Sequence, residues 1–277
     1  MKLKEYGNLE NNGAIATKLD WIKEFWHYRE LFYFFVLRDM KLRYKQTVLG
    51  ALWAIIQPFF TMVVFSIFFG KFAKMPSEGV PYPIFSYSAL VPWIFFTSAV
   101  GLSGNSLIGN SNLLTKVYFP RFAIPASAVL SGIFDFFIAS IILFGLMIYF
   151  HIPLTLNLII WPLLTIPLIF LALGLGLIFS SLNVKYRDIK YAIPFLIQIW
   201  LYVTPIIYPI SILPDRYRGF IALNPMTGII EVFRSMIIPN KQVDFGSLIY
   251  SVLMSVIVFI IGIIYFRSTE REFADIV

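Results

Sequence analysis

Residues 122–150 read FAIPASAVLSGIFDFFIASIILFGLMIYF, a stretch in which Asp135 carries the one charged side chain. A helix that crosses the hydrocarbon layer of a bilayer needs about 20 predominantly apolar residues, and this stretch is longer than that. Other stretches meet the same criterion, so the predicted spans are residues 49–72, 85–107, 122–150, 158–182, 193–210 and 248–266. The sequence therefore predicts an all-α membrane protein with about six transmembrane helices in residues 48–266.

The composition excludes a soluble fold. Of the 277 residues, 59% are hydrophobic and 13% are charged, whereas about a quarter of the residues of a soluble domain are charged. The formal net charge of +7 comes with Lys and Arg beside the spans, which indicates membrane topology and contact with membrane lipids, not nucleic acid. The chain has no cysteine, and His27 and His151 are far apart. We therefore expect no metal site and no cofactor on this chain.

Residues 21–47 are aromatic and charged together, which is typical of an amphipathic helix that lies in a membrane interface. The apolar positions that recur at helical spacing are Tyr33, Leu37, Met40 and Tyr44. The basic residues of this interfacial helix are Arg38, Lys41, Arg43 and Lys45. A soluble surface helix is the alternative, and the high aromatic content disfavours it. Residues 1–20 form a polar N-terminal arm.

The distribution of Lys and Arg predicts the orientation of the spans. If the N-terminal end is cytoplasmic, the inner segments carry sixteen of these residues and the outer segments carry six. Both termini, including a tail at residues 267–277, are therefore expected in the cytoplasm. The N-terminal arm and the interfacial helix supply most of this bias.

The outer connection between the fifth and sixth predicted spans contains a short helix of its own. Asn224-Pro225 is a helix start, with Asn as the cap and Pro at the first helical position, and Pro239-Asn240 is a stop. The helix between them is too short to span a membrane. Its polar residues share one stripe: Thr227, Glu231, Arg234 and Ser235. We expect a re-entrant or interfacial helical hairpin on the outer face; an ordinary periplasmic loop is the alternative.

Asp135 is the one acid well inside a predicted span, and embedded acids are costly and usually functional. Ser127 and Ser131 precede it at spacings of four residues, so the three side chains share a helix face that should point into the bundle. A proton relay normally needs a second titratable group at similar depth, and none is apparent. The sequence favours a helix–helix contact over proton coupling.

The first and fifth predicted spans each carry a stripe of aromatic and amide side chains. The first stripe consists of Trp53, Gln57, Phe60, Thr61 and Phe68, and the second of Tyr191, Phe195, Gln198 and Tyr202. Such stripes are often lipid-facing or packed core. Amides among the rings favour another interpretation, because sugars stack their C–H faces on aromatic rings and pair their hydroxyls with amides. We expect both stripes to line a substrate channel.

The chain lacks the GxxxxGK[ST] loop that holds nucleotide phosphates, so ATP hydrolysis is not expected here. Five motifs nevertheless form a pattern. They are RDMKLRYKQTVLG (38–50) followed by LW (52–53) and QP (57–58), NLLTKVYFPR (112–121), NVKYRD (183–188), NPM (224–226) with FR (233–234), and EREFAD (270–275). Their order and spacing resemble type-2 ABC exporter permeases. The similarity is greatest to the polysaccharide-export branch of Wzm-like O-antigen, capsule and teichoic-acid permeases, over residues 30–277.

This resemblance implies a homodimeric permease in the inner membrane of a bacterial cell. It implies two ATP-binding cassette subunits that bind ATP-Mg, and a lipid-diphosphate-linked polysaccharide as cargo. It implies that inner segments transmit ATPase motion, with Asn112, Lys116, Tyr118, Arg121, Lys185, Arg187 and Asp188 as candidates. It also implies an outer gate that includes Asn224, Pro225, Glu231 and Arg234. Two other functions remain open: an exporter of small hydrophobic molecules with the same fold, and a membrane glycan-processing enzyme. The enzyme would need a cluster of acids, which Asp215, Glu231 and Asp244 do not form in the sequence.

The absence of cysteine permits a direct test of the orientation. We expect Ser77→Cys and Asp215→Cys to react with a membrane-impermeant maleimide added to intact cells, because both positions lie in predicted outer loops. Asn112→Cys and Thr269→Cys should react after the membrane is permeabilised. Labelling of Asn112→Cys from outside would overturn the predicted side of the second loop.

Overall fold

The computed structural model describes residues 28–45, 50–116, 119–186, 188–239, 241–270 and 273. All regular elements in these ranges are helices, which confirms the all-α class. Five helical stretches are long and apolar enough to cross a membrane: Gly50–Phe72, Tyr82–Gly109, Ala123–Tyr149, Leu156–Lys185 and Phe245–Thr269. The predicted fifth span is a shorter apolar helix, Ile189–Val203.

In chain order the α-helices are α1 (Arg29–Tyr44), α2 (Trp53–Phe65), α3 (Tyr82–Gly109), α4 (Ser111–Lys116), α5 (Ala123–Leu130), α6 (Ile133–Tyr149), α7 (Thr165–Lys185), α8 (Ile189–Val203), α9 (Asp215–Ala222), α10 (Pro225–Ser235) and α11 (Phe245–Thr269). Short 3₁₀ turns lie at Gly50–Leu52, Leu156–Ile160 and Ile210–Ile212, and a π-helical stretch at Ser66–Phe72 extends α2. Of the predicted interfacial helix 21–47, the structure describes α1; residues 21–27 and 46–47 lie outside the described ranges.

Two predicted spans differ from the structure. The third is interrupted by a turn at Ser131 and Gly132, so it consists of α5 and α6. The fifth was predicted to reach residue 210, and that end is wrong, because α8 stops at Val203. Thr204 has ψ of 136°, since a residue before proline avoids the helical region, and Pro205 follows. The hairpin predicted after this span is present as α9 and α10; its position in the membrane stays a prediction.

Helix α3 is the centre of the bundle. It contacts α2, α5, α6, α7, α8 and α10, and nearly all side chains in its first half are buried. Small residues such as Ser88 and Ser103 let its neighbours approach closely. Helix α11 is the opposite case, because many of its apolar side chains, including a row of isoleucines, are exposed. Such an apolar surface is suited to contact with lipid tails.

The backbones of α7 and α11 meet at two glycines. A Cβ atom on Gly174 would lie 2.6 Å from the carbonyl carbon and oxygen of Val258, and one on Gly262 would lie 2.4 Å from the carbonyl oxygen of Gly174. Lipid tails are as apolar as side chains, so membrane helices associate through close packing of this kind. The crossing leaves no room for a methyl group on either helix.

We expect Gly174→Ala and Gly262→Ala each to destabilise the folded protein by about 1–3 kcal/mol, the usual range for overpacking. The measurement is the thermal unfolding midpoint of the detergent-purified protein. Gly145→Ala on α6 is the matched control, because a Cβ atom there meets nothing within 4 Å and alanine favours the helix by about 1 kcal/mol. Equal midpoints for all three variants would contradict the close crossing.

Candidate functional site

A cavity of about 740 Å³ lies between α2, α3, α6 and α8. Aromatic rings form much of its wall: Tyr44, Trp53, Trp93, Phe95 and Phe136. Three amides face the same space: Gln57, Asn105 and Gln198. An apolar wall with a few convergent polar groups is the usual composition of a ligand-binding cavity. The structure therefore brings Trp53 and Gln57 of the first predicted stripe together with Gln198 of the second.

The other stripe residues lie on the outside of the protomer. Phe60 is 61% exposed, Phe195 63% and Tyr202 61%, and Phe68 and Tyr191 are similarly exposed. Thr61 is half-buried, and its hydroxyl donates to the carbonyl oxygen of Gln57 at 2.8 Å. The exposed rings are thus not packed core within one chain. Their position in a channel stays a prediction.

Helix α8 is attached to the bundle by a narrow face. Ile193 is its one fully buried side chain, and it fits against α3 because position 104 is a glycine, where a Cβ atom would lie 2.8 Å from the Ile193 Cδ1 atom. Further along, the ring of Trp200 packs edge-on against Phe96, with 5.2 Å between centroids. The remaining faces of α8, including its stripe, stay exposed.

A polar ladder joins α1 to the third span, and it occupies the face predicted from Ser127, Ser131 and Asp135. The Ser127 hydroxyl donates to Asp39 Oδ2 at 2.6 Å, and Arg43 donates to Ser131 Oγ at 3.1 Å. Asp135 accepts from Arg43 and from the Tyr44 hydroxyl. The predicted helix contact is confirmed, and its partner is α1. We call these six residues the α1 ladder.

The basic residues of α1 have different surroundings. Arg38 pairs with its neighbour Asp39 at 2.8 Å, and Lys41 and Lys45 are exposed. The Arg43 side chain faces the third span. Its position among the basic residues of the sequence did not predict this contact. Burial and then the hydrogen bond to Asp135 raise the pKa of Tyr44 well above its usual value, so its phenol stays protonated and remains a donor near neutral pH.

A second polar cluster lies at the other end of the bundle and contains Glu78, Glu231, Arg234 and Lys241; we call it the Arg234 cluster. The fully buried Arg234 donates to the carbonyl oxygens of Pro205 at 2.5 Å and Ile206 at 2.7 Å, and its guanidinium lies 3.8 Å from the centre of the Phe85 ring. Lys241 bridges Glu231 at 2.5 Å and Glu78 at 2.6 Å. The sequence indicated Glu231 and Arg234 but not their partners.

The start of α10 has the predicted cap. Asn224 Oδ1 accepts from the backbone N–H of Met226 at 3.0 Å, and Pro225 is the first residue of the helix. The same side chain also contacts the end of α8, since it accepts from Trp200 Nε1 at 3.0 Å and donates to Thr204 Oγ1 at 2.9 Å. Asn224 therefore ties the hairpin to the fifth predicted span.

The candidate coupling residues lie at one end of the bundle. Asn112 is exposed on α4, Lys116 ends that helix, Lys185 ends α7 and Asp188 precedes α8. Tyr118 and Arg187 lie outside the described residues. Arg121 donates to the carbonyl oxygen of Glu270. The structure thus connects the segment after α4 with the end of α11.

An apolar cluster supports this segment. Its buried members are Leu107, Leu114, Phe119, Ala123, Ile124, Leu177, Val184, Phe266 and Phe273. The Phe119 ring also packs edge-on against Phe35 of α1, with 5.2 Å between centroids. We call it the Phe119 cluster. It brings together α1, the segment after α4 and residues of the EREFAD motif, which no periodicity in the sequence could reveal.

Comparison with known proteins gives a consistent set of relatives. Residues 30–238 match the profile of the family described as ABC-2 type transporter. The O-antigen export system permease protein RfbA of Myxococcus xanthus is 28% identical over 258 residues, which are 92% of this chain and 98% of that protein. The RfbA permease of Klebsiella pneumoniae is 28% identical over 86% of this chain and 92% of its own. The polysialic acid transport protein KpsM of Escherichia coli is 26% identical over 85% and 92%.

The Arg234 cluster generates a prediction about stability. Arg234→Gln should lower the free energy of unfolding by about 3 kcal/mol or more, because removal of one member of a buried charge network leaves the others uncompensated. The measurement is the unfolding midpoint together with the yield of monodisperse protein in detergent. Arg216→Gln is the control, since Arg216 is exposed and stacks on Tyr217. If both variants unfold like the wild type, Arg234 does not hold the end of α8.

Proposed function

The chain belongs to the ABC-2 type transporter family of membrane proteins, and from this premise we propose that it is the permease subunit of an ABC exporter of polysaccharide. The proposed cargo is an O-antigen-like glycan linked to a lipid diphosphate, which crosses a bacterial inner membrane. The relatives named above are permeases for O-antigen and a transport protein for polysialic acid, which supports a glycan over a small hydrophobic cargo.

The observation that carries this proposal is the chemistry of the cavity and of the surface beside it. Rings of Trp53 and Trp93 lie beside the amides of Gln57 and Gln198. Flat rings offer contact area to the C–H faces of sugars at a low cost in side-chain entropy, and amides can both donate to and accept from hydroxyls. Many shallow contacts of this kind let a polymer slide without being held.

The exposed stripe residues support a dimer of two identical chains. Large exposed apolar patches mark interaction surfaces or lipid contacts, and in a two-fold dimer each surface meets its own copy. Two copies that meet around α2 and α8 would present Phe60, Phe195 and Tyr202 twice along one passage. We propose this arrangement for the channel.

The energy for transport would come from two separate ATP-binding subunits that hold ATP-Mg. The segment from α4 to Arg121 supports the docking of such a subunit, because it is partly exposed and is joined to α1 and α11 by the Phe119 cluster. With both termini in the cytoplasm, this segment faces the ATPase and the Arg234 cluster lies on the outer side, where we propose that the hairpin gates the exit.

The channel is tested by replacing stripe residues. Phe60→Ala, Phe195→Ala and Tyr202→Ala should each lower export about fivefold, if each ring contributes about 1 kcal/mol of stacking to the moving glycan. The amount of folded protein should not change, because substitutions of exposed residues usually alter stability by less than about 0.5 kcal/mol. The measurement is surface glycan per unit of membrane-inserted permease.

The control must be an apolar residue that faces lipid. Phe144 does not meet this requirement, because it is half-buried and packs edge-on against Trp161, with 5.7 Å between centroids. Ile141 on the same helix is 66% exposed, so Ile141→Ala is the control. If stripe variants and Ile141→Ala export equally well, the stripes face lipid and the channel lies elsewhere.

A further inference from the structure

The α1 ladder joins two helices that each present side chains four residues apart. Asp39 and Arg43 lie about one helical turn apart on α1. They contact Ser127, Ser131 and Asp135 of the third span. This span carries the turn at Ser131 and Gly132, between the end of α5 and the start of α6. The ladder therefore crosses an interruption in a membrane span.

Arg43 is the residue of the α1 ladder whose contacts lie on both sides of this interruption. It donates to Ser131, which caps the end of α5, and to Asp135, which lies in the first turn of α6. A guanidinium is planar and presents several fixed donors, so it can hold two partners in one geometry. Tyr44 adds a second contact to Asp135. One side chain of α1 thus fixes both halves of the third span.

The two ends of α1 lie in different parts of the protein. Near its start, Phe35 packs against Phe119, and Phe32 is among the residues that pack against the Phe119 cluster. At its end, Arg43 and Tyr44 line the cavity together with Gly132 and Asp135 of the third span. A 16-residue helix is about 24 Å long. Helix α1 is therefore a continuous connection from the proposed docking segment to the cavity wall.

We propose that Arg43 is a positioning residue that fastens α1 to both halves of the third span, so that α1, α5 and α6 move as one body and a displacement at the Phe119 cluster reaches the cavity wall. The mechanical part rests on the proposed function, because the displacement would come from the ATPase. The fastening rests on the contacts of Arg43 alone.

The test variant must remove the ion pair without leaving a lone charge. A single change at Arg43 or Asp135 leaves its partner uncompensated, which destabilises strongly. The double variant Arg43→Gln with Asp135→Asn keeps two amides of similar size and avoids this. Lys45→Gln is the matched control, since Lys45 is an exposed cation at the end of α1 and lies outside the α1 ladder.

The first measurement needs no cargo. Because the chain has no cysteine, spin labels can be placed at Lys41→Cys on α1 and Ile141→Cys on α6 in the full chain in lipid nanodiscs. We expect a narrow distribution of label distances with native Arg43 and with Lys45→Gln, and a clearly broader one in the double variant. Distributions of equal width in the native and double-variant backgrounds would overturn the fastening.

The second measurement is glycan translocated per ATP hydrolysed, in vesicles that contain the permease and its ATP-binding subunit. We expect the double variant to assemble and hydrolyse ATP as the wild type does, but to move about tenfold less glycan per ATP, a loss typical of coupling between sites. A structural defect would instead lower assembly and both activities together. An unchanged ratio of glycan to ATP would overturn the mechanical role. If the wild type moves no glycan while the label distances behave as expected, the proposed function fails and the fastening stands.

Discussion

A backbone carbonyl freed inside a bilayer must find a donor within the protein, because hydrocarbon supplies no water. This constraint is visible at two places where spans of this chain depart from regular helix. After Val203 the chain runs without helical structure, and its carbonyls at Pro205 and Ile206 accept from Arg234. The next carbonyl, that of Ile207, accepts from the Tyr82 hydroxyl at 2.7 Å. At Ser131 the third span turns, and the Ser131 hydroxyl donates to the carbonyl oxygen of Ala128 at 2.9 Å.

Removing an arginine from water at these places has an unfavourable solvation free energy of its own. An ion moved out of water loses several kcal/mol of solvation, and attraction to a partner offsets this loss when the geometry is good. In the Arg234 cluster two carboxylates face two cations, so the formal charges cancel. Along α1, Asp39 pairs with Arg38 and Asp135 of the α1 ladder pairs with Arg43, so these charges also cancel. The charged side chains are thus paired within the protein, as embedded ionisable groups generally are.

The sequence predicted those features that depend on local periodicity. Hydropathy located the spans, the four-residue spacing of Ser127, Ser131 and Asp135 located a contact face, and the Asn-Pro pair located the start of α10. The partners of these groups could not be predicted, because Arg43 is 92 residues from Asp135 and Lys241 is 163 from Glu78. Apolar periodicity also cannot distinguish a lipid-facing ring from one packed on a neighbour. On α6, for example, Phe144 packs on Trp161 whereas Ile141 is exposed.

The distribution of these contacts has a consequence for transport. The polar clusters fix α1 to the third span and α10 to the chain after α8, whereas α8 itself is held along its length by the narrow face around Ile193 and Trp200. Its stripe rings therefore stand on a helix whose position is set by few contacts, next to a cavity that already contains Gln57 and Gln198. Helix α8 can shift by small distances without breaking a buried polar bond, because the hydrogen bonds of Asn224 and Arg234 lie at the end of the helix. Given the proposed function, the surface that meets the glycan thus lies on a helix that few contacts hold in place. A small displacement of this helix disrupts little packing.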